Sequence, residues 1–368
     1  VTVSGGNSAE DQLGFSDQNG ITGSLVGTTL TLSGTASVAA YQTALRSVTY
    51  ANTSVAPSEA TRSVAFTVDD GEVVGADSRD ITVMAVNSLP TISTTTSPLG
   101  YTEDDGAVPI DPSLLLSDLD DTEFDGAMVV ITGGVPAEDL LAFTNQNGIT
   151  GSFAGTTLTL SGSASVADYR AALRSVAYQN TSHNPSQLTR TVTFTVNDGL
   201  DMNQAARNVT VAAENDRPSV NTTVAMLDYT AGDGPVTIDT GLTLSDLDDS
   251  DLTGATIQIG GGSLAEDVLA FVDQPGITGS LVGTTLTLSG TASVANYQAA
   301  LHSITYENTN LTDPDNTLRT VSFSVTDGTD VGNNSRGISV SDPNRPPTVT
   351  ATAANLLYDE GDGAVPID

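Results

Sequence analysis

The chain contains 368 residues, of which 38% are apolar and 15% charged, with 45 Asp and Glu against 11 Arg and a formal net charge of −34. Nucleic acid and anionic membranes are therefore poor partners, and the absence of Cys and Lys excludes disulfides, thiolate metal ligands and lysine-based covalent chemistry. The length predicts two or three domains, each able to bury a core. No apolar run is long enough to span a membrane, and the first residues lack the features of a signal peptide, so we expect any export signal to lie outside this sequence.

From the N-terminus onward, short segments of alternating polarity separated by Gly, Asn and Asp predict β-strands. The segment SVAAYQTAL interrupts this pattern, because Val38, Tyr41 and Leu45 recur at helical spacing and Ser37 can cap the first turn. The later segment TRSVAFTVDDG again alternates with a period of two, as in a half-buried strand. Together these elements predict an all-β, antiparallel, immunoglobulin-like sandwich with one short helix.

The same strings return along the chain at a domain-length spacing. GITGS begins at Gly20, Gly148 and Gly276, at intervals of 128 residues, and a DG turn and a linker proline recur at intervals of 128 and 129. With the linker proline as the boundary, we predict the C-terminal part of a repeat in 1–89, complete repeats in 90–217 and 218–346, and the opening strand of a further repeat in 347–368.

The two ends of the chain are nearly complementary. Asp368 corresponds to Asp111 and Val1 to Val129, so the end segments together lack only the equivalents of 112–128. One interpretation is a window from a longer repetitive chain. The other is head-to-tail completion, in which the last strand of one copy fills the first repeat of the next copy and builds a filament.

Acidic residues cluster at recurrent places, in YTEDDG, SDLDD, AED, NDG and ENDRP. Carboxylates at this density repel one another, and Ca²⁺ takes six to eight oxygen ligands. In SDLDD, we expect Asp118 and Asp120 on one side of an extended segment, where they could share an ion. Calcium at the junctions between repeats would then lock the hinges. The alternative is a solvated acidic surface, as in a salt-adapted secreted protein that needs no specific metal.

The strings SDLDD and FTVNDG, the linkers ENDRP and DPNRPP, and the helical string SVADYRAALRSVAYQNTS resemble the cadherin-like tandem repeats of large bacterial surface and secreted adhesins. The resemblance covers the whole chain. It implies tandem immunoglobulin/cadherin-like β-sandwiches of about 128 residues in an extracellular, calcium-rigidified protein that serves attachment or biofilm formation. It also implies that the partners are adjacent repeats or other copies, and a cell-surface or matrix target.

Carried over residue by residue, the resemblance implies a set of metal ligands at each junction. At the second junction these are Asp198, Glu214, Asn215, Asp216, Asp246 and Asp248, with Glu138 and Asp139 as further candidates; at the first they are Glu103, Asp118 and Asp120; the predicted ligands also include Asp327, Asp342, Asn344 and Glu360. The linker VNSLP offers Asn87 but no carboxylate where ENDRP has two, so we expect a weaker site or none at the first junction. Ala231 stands where the preceding repeat has Glu103, and the DRE tripeptide of animal cadherins is absent, so we do not expect full triple calcium sites.

Two sets of arginines recur at equivalent positions beside predicted strands, and in so acidic a chain we expect each to form an ion pair with a neighbouring carboxylate. The first set is Arg62, Arg190 and Arg319, and the second is Arg79, Arg207 and Arg336.

No HExxH, GxSxG or P-loop motif occurs, and the two histidines, His183 and His302, stand at non-equivalent positions, so we expect no enzyme activity. We expect His183 to lie in an exposed loop. The absence of Trp argues against a sugar-binding platform, although the loops 52–58, 180–186 and 308–315 differ between repeats and keep a carbohydrate- or ligand-binding region as an alternative. The main prediction is a stalk or filament segment of a calcium-stabilised adhesin, and the other alternative is a self-polymerising fibre subunit joined by strand complementation.

Overall fold

Short strands joined by Gly, Asn and Asp turns make up most of the chain, as the alternating sequence predicts. The computed structural model describes residues 1–343, 347–361 and 363–367. Its contacts divide the chain into two compact units, Val1–Ala213 and Glu214–Asp368. The finer division into four segments stays a prediction, and its repeats serve below to compare equivalent residues.

The first repeat forms a five-stranded sheet in the order β3-β4-β1-β6-β7 and a separate pair of β2 with β5. Its elements are β1 Thr2–Ser4, β2 Asp11–Gly14, β3 Thr22–Val26, β4 Thr29–Ser33, α1 Val38–Arg46, β5 Thr49–Asn52, β6 Arg62–Asp69 and β7 Val74–Ile81. All of these pairings are antiparallel.

The second repeat, in the same unit, adds four strands before the counterpart of β1. Its elements are β8 Thr91–Ser93, β9 Leu99–Thr102, β10 Val108–Pro109, β11 Leu115–Ser117, β12 Glu123–Thr132, β13 Asp139–Ala142, β14 Thr150–Ala154, β15 Thr157–Ser165, α2 Val166–Ser175, β16 Ala177–Asn180, β17 Arg190–Asn197 and β18 Met202–Ala212. The large sheet has the order β14-β15-β12-β17-β18-β9, the small sheet has the order β10-β16-β13, and β11 pairs with β8. Strand β9 is parallel to β18.

The second unit repeats this topology. Its elements are β19 Ser219–Asn221, β20 Leu227–Thr230, β21 Val236–Thr237, β22 Thr243–Ser245, β23 Asp251–Gly260, β24 Asp267–Ala270, β25 Thr278–Val282, β26 Thr285–Ser293, α3 Val294–His302, β27 Thr305–Asn308, β28 Arg319–Thr326 and β29 Val331–Ser341. The sheets are β20-β29-β28-β23-β26-β25, β21-β27-β24 and β19-β22, with β20 parallel to β29.

The core of each complete repeat lies between its large and small sheets. In the second repeat, Val129 and Phe194 of the large sheet and Tyr178 of the small sheet are fully buried in one cluster. The predicted alternation is confirmed there, because every second residue of β17 is buried. Two facing sheets with alternating apolar side chains define an all-β sandwich, so the predicted fold class is confirmed.

The repeated string around each helix encodes a local packing unit. Ser37 caps α1 as predicted, with its hydroxyl accepting from the Ala40 N–H, and the equivalent serines cap α2 and α3. The Tyr169 hydroxyl of α2 donates to the Gly162 carbonyl at 2.6 Å. Gly162 has a φ of 126°, and a Cβ there would collide with the Gly148 carbonyl, so this position requires glycine. The repetition therefore preserves a strand-to-helix crossing in which the capping serine, the tyrosine and the glycine each have a defined role.

Candidate metal centre

Five carboxylates gather at one end of the second repeat, the end that receives the linker from the first. We call this group the second acidic end, and its members are Asp118, Asp120, Asp121, Asp198 and Asp201. The first three lie between β11 and β12, and the other two lie in the turn between β17 and β18. Because β12 and β17 are antiparallel neighbours, with Gly126 opposite Asn197, the start of one strand lies beside the end of the other. Sheet topology thus brings the two acidic loops together.

Oxygens of Asp118, Asp121 and Asp198 all lie within 4.8 Å of one another. The orientation of two of them is fixed by backbone N–H groups: Asp118 Oδ1 accepts from Asp120 and Asp121 at 3.1 Å each, and Asp198 Oδ1 accepts from Asp201 at 2.7 Å. The other oxygen of Asp118, Oδ2, is buried and has no hydrogen-bond partner within the described chain. The turns therefore hold the carboxylates close together despite their like charges.

The linker before the second repeat is bound to this acidic end. Asn87 Nδ2 donates to Asp198 Oδ2 at 3.1 Å and to Asp201 Oδ2 at 2.9 Å. The Ser88 N–H donates to both oxygens of Asp120 at 3.0 Å. Asp198 thus belongs both to the carboxylate cluster and to the linker contacts.

The carboxylates of the second acidic end repel one another, and this repulsion contributes to the pKa of Asp121. Burial raises the pKa of Asp121, and the charges of Asp120, Asp118 and Asp198 raise it further. The pKa of Asp198 is lowered instead: burial opposes its ionisation, but the N–H groups of the DG turn and the Asn87 amide outweigh that effect. Burial and the neighbouring charges therefore disfavour the charged form of Asp121, and a bound cation would stabilise that form.

An equivalent third acidic end lies within the second unit. Its members are Asp246, Asp248, Asp249, Asp327 and Asp330, and Asn215 Nδ2 donates to Asp327 and Asp330 at 3.1 Å each. Burial raises the pKa of Asp249, with the charges of Asp248 and Asp327 adding to the shift. Asp216, which is half-buried, adds a carboxylate at the linker position where the preceding repeat has Ser88.

The donor set fits calcium. All the gathered ligand atoms are carboxylate oxygens, which hard cations prefer, and the group contains no His or Cys for a transition metal. Calcium–oxygen bonds of about 2.3–2.6 Å place two ligands of one ion no more than about 5 Å apart, and the 4.8 Å spread of the three oxygens satisfies this limit. Asp118, Asp121 and Asp198 are thus the residues that would hold the ion.

The structure corrects the sequence-based grouping of these residues. Asp198 lies with Asp118, at the opening end of its own repeat, and not at the following junction, because β17 runs back toward the linker. Asp327, the equivalent residue of the third repeat, likewise lies with Asn215 at the opening end of its own repeat. Residues 118–121 form a bend and not an extended strand, so Asp121 joins Asp118 where Asp120 was expected. The expectation that calcium binds more weakly at the first junction than at the second, or not at all, stays a prediction. Three carboxylates meet at the first junction.

Sequence reasoning also missed four carboxylates, Asp121, Asp201, Asp249 and Asp330. The signal for Asp201 and Asp330 was present in the sequence, because each stands three residues after the aspartate of a DG turn in both complete repeats.

Glu138 and Asp139, expected as further metal ligands, belong to an arginine site instead. Asp139 is 1% exposed, and its Oδ1 accepts from Arg190 Nε at 2.9 Å, from the Tyr178 hydroxyl at 2.6 Å and from Asn180 at 3.1 Å. Glu138 Oε2 lies 3.5 Å from Arg190 Nη2. Both carboxylates pair with Arg190, and Asp139 Oδ1 already accepts from three donors in the core, so the structure places neither residue in a metal cluster.

The same buried ion pair recurs in the other repeats, between Arg62 and Asp11 at 3.1 Å and between Arg319 and Asp267 at 3.2 Å. The predicted pairing of the first arginine set is therefore confirmed. In the second set, Arg207 lies 3.9 Å from Asp111 and Arg336 lies 3.3 Å from Asp239.

The remaining predicted ligands lie elsewhere. Glu103 is 6% exposed, and its Oε1 lies 3.8 Å from Nδ1 of His183, whose side chain is exposed as expected. Glu214, Asp342 and Glu360 are exposed. Asn344 lies outside the described residues. In the described part of the chain, no helix has the length and apolar character needed to cross a membrane.

Comparison with known proteins gives one sequence relative and several similar solved structures. No protein-family model matches the chain. The chain is 30% identical over 300 residues to Halomucin of Haloquadratum walsbyi (strain DSM 16790 / HBSQ001), a match that spans 78% of this chain but only 3% of that protein.

Among solved structures, the chain is similar to PcdhgB3 EC1-4, at 10% identity and a TM-score of 0.26, over 91% of this chain and 67% of that one. It is also similar to the titin I-band fragment I67-I69, at 7% identity and a TM-score of 0.26, over 92% and 88% of the two chains. These neighbours are cadherin-like and immunoglobulin-like tandem domains.

Proposed function

We propose that the chain is a structural segment of an extracellular adhesion-type protein, a stalk or filament of tandem β-sandwiches stabilised by calcium. The observation that carries the proposal is the second acidic end, where oxygens of Asp118, Asp121 and Asp198 lie within 4.8 Å of one another and Asp198 also accepts from the linker residue Asn87. The tandem cadherin-like character of the repeats and the partial similarity to Halomucin support it. The bacterial origin, a biofilm role and the adhesion target remain hypotheses.

The mechanism is mechanical. Calcium bound by Asp118, Asp121 and Asp198 would supply the positive charge that offsets their repulsion. Asp198 is fixed by its own turn and also accepts from Asn87, so ordering this carboxylate orders the linker. Extracellular modules bind calcium with a dissociation constant of about 10⁻⁴ to 10⁻³ M. The linker is therefore expected to stiffen outside a cell and to loosen under chelation.

Thermal unfolding in millimolar calcium, in excess chelator and in magnesium at matched ionic strength tests the proposal. A site occupied at one hundred times its dissociation constant stabilises the folded state by about 2.7 kcal/mol. We expect a rise in melting temperature that is specific to calcium. An equal response to magnesium or to simple salt would contradict the proposal and would favour the salt-adapted acidic surface.

A further inference from the structure

The recurrent GITGS string begins inside a two-residue hairpin turn, and the first residue of this turn differs between the repeats. The turns are Asn19-Gly20, Asn147-Gly148 and Pro275-Gly276. Each is closed by a bridge between the flanking glutamine and isoleucine. In the second repeat, the two backbone hydrogen bonds between Gln146 and Ile149 measure 3.1 and 2.7 Å. The fold therefore accepts either asparagine or proline at one position of the same turn.

The two asparagine turns place a side-chain amide beside a glycine N–H. Asn147 has a φ of 50° and Gly148 a φ of 79°, the left-handed values that a type I′ turn requires. Both residues are exposed. Within the described chain, neither the Asn147 side chain nor the Gly148 N–H forms a hydrogen bond, and the same holds for Asn19 and Gly20. An amide carbon and a backbone nitrogen that can react with each other are thus adjacent and accessible to water.

The DG turns of the two complete repeats do not leave their glycine N–H free in this way. The Gly199 N–H donates to Asn197 Oδ1 at 2.8 Å. The Gly328 N–H donates to the Thr326 hydroxyl at 3.0 Å. The structure therefore distinguishes the asparagine turns from the other recurrent glycine turns by the state of the backbone nitrogen.

We infer that Asn147 and Asn19 are sites of spontaneous covalent modification, in which the following glycine nitrogen displaces ammonia from the side-chain amide. The Gly148 nitrogen loses its proton and attacks Asn147 Cγ. The new N–C bond closes a five-membered succinimide, the bond from Cγ to Nδ2 breaks, and ammonia leaves with the proton. Water then adds to one of the two succinimide carbonyls and opens the ring. The product is either Asp or isoaspartate, whose main chain runs through Cγ, and water is the co-reactant.

The two products differ in their effect on the hairpin. Asp keeps the main chain and adds one negative charge. Isoaspartate adds one atom to the main chain of the turn, and turn type and loop length fix the register of a hairpin. Ile149, directly after the turn, is 1% exposed. A Cβ on Gly162 of β15 would lie 2.4 Å from the Gly148 carbonyl oxygen, so the turn packs directly against that strand. The isoaspartate form of the second repeat should therefore be less stable.

The third repeat shows which substitution removes the reactive amide and keeps the turn. Proline has no side-chain amide and fixes φ at about −65°. Together with the φ of 82° at Gly276, Pro275 forms a type II turn. The hydrogen bonds between Gln274 and Ile277 persist there at 3.0 and 2.9 Å. Asn147→Pro should therefore fold like the unmodified chain.

Peptide mass mapping of the full chain, kept folded in alkaline buffer with excess chelator, tests the inference apart from the calcium proposal. We expect the mass increase of an exchange of NH₂ for OH at Asn147 and Asn19. It should appear at least about tenfold faster there than at any other described asparagine, a ratio that corresponds to about 1.4 kcal/mol in activation free energy. The reaction should accelerate with pH, because the glycine nitrogen must lose its proton.

The variant and the product analysis sharpen the test. Asn147→Pro should lose the modification in the second repeat and keep it at Asn19. The comparison of Asn147 with the Pro275 turn within one chain does not depend on the folding of this variant. Methylation by a protein isoaspartyl methyltransferase should detect the isoaspartate product, and the melting temperature of the chain should fall as its fraction grows.

Three results would overturn the inference. One is an equal rate of modification at exposed asparagines outside these turns, such as Asn208 and Asn333. Another is modification of Asn147 only after the chain is unfolded in denaturant, which would mean that the folded turn protects the amide. The third is an unchanged mass increase in the same peptide of Asn147→Pro, which would place the reaction on another residue.

Discussion

Replacing Asp121 by Asn should stabilise the second repeat in the absence of calcium and reduce the stabilisation that calcium provides. Its neighbours and burial raise the pKa of Asp121, so at neutral pH its charge destabilises the metal-free fold. Asn removes this charge and keeps nearly the same shape. In chelator the variant should therefore be at least as stable as the unmodified chain, whereas it should gain less stability from calcium because a ligand is lost.

The distances between the carboxylate oxygens give the size of the destabilisation that the charge of Asp121 causes. Two unit charges no more than 4.8 Å apart repel by at least about 1 kcal/mol at the dielectric constant of water and by at least about 3.5 kcal/mol at an effective value of 20. Asp121 is half-buried at the surface, so the value for water applies, and its two neighbours Asp118 and Asp198 together give about 2 kcal/mol. If calcium binds tenfold more weakly to the variant, the stabilisation by calcium falls from about 2.7 to about 1.4 kcal/mol.

The assay is thermal unfolding of the full chain in chelator and in saturating calcium, with Asp17→Asn as the matched control. Asp17 accepts from the Gly23 N–H at 2.9 Å, and in the second repeat Asn145 accepts from the Gly151 N–H at the same distance. The control therefore removes one negative charge at a position where the fold already accepts Asn. Its stabilisation by calcium should equal that of the unmodified chain.

The pH dependence in chelator provides a second measurement. The pKa of Asp121 is higher in the folded chain than in the unfolded chain. Below the unfolded pKa of about 3.9 the carboxyl group is mostly protonated in both states, so it does not destabilise the fold. The destabilisation develops as pH rises through the folded pKa. The unmodified chain should lose this part of its stability over that interval, and the Asn variant should not. If Asp121→Asn is less stable in chelator, or if it keeps the full stabilisation by calcium, the reasoning is refuted.

Three further predictions concern the buried groups. Asp139→Asn should destabilise the second repeat by about 3 kcal/mol in chemical denaturation, because it removes the buried carboxylate of the ion pair and leaves Arg190 only its longer contact with Glu138. An unchanged stability with a lost calcium response would make Asp139 a metal ligand after all. Gly134→Ala should be more destabilising than Gly155→Ala by about 1–3 kcal/mol. Both glycines have a positive φ, but a Cβ at Gly134 would lie 2.6 Å from Arg190 Nε, whereas a Cβ at Gly155 would enter open space. Equal melting temperatures of the two variants would contradict the packing around the arginine. Burial raises the pKa of Tyr169 to about 12, so the stability that its neutral hydroxyl contributes should be complete below pH 10 and lost as pH rises toward 12. In Tyr169→Phe, the rise of tyrosinate absorbance with pH should lose a late phase. An unchanged titration would contradict the burial of this hydroxyl.

The sequence by itself determined the local structure of this protein. The strands and the helix follow from alternation, helical spacing and the Ser37 cap, which involve residues near one another in the chain. Repetition at a domain-length spacing then showed that these elements form tandem copies. The pairing of Arg62 with a carboxylate also followed from the charge balance, because a recurrent arginine in so acidic a chain needs a counter-ion, although the sequence did not identify Asp11 as that partner.

Only the tertiary structure decided which carboxylates meet. Asp139 and Asp198 are both aspartates of recurrent acidic motifs. In the structure Asp139 pairs with Arg190 in the core, whereas Asp198 faces Asp118 at the linker end. The local sequence does not distinguish these two environments, because they depend on which strands are neighbours and in which direction the strands run. The antiparallel pairing of β12 with β17 returns the DG turn to the end where SDLDD begins, and this long-range register creates the candidate calcium site.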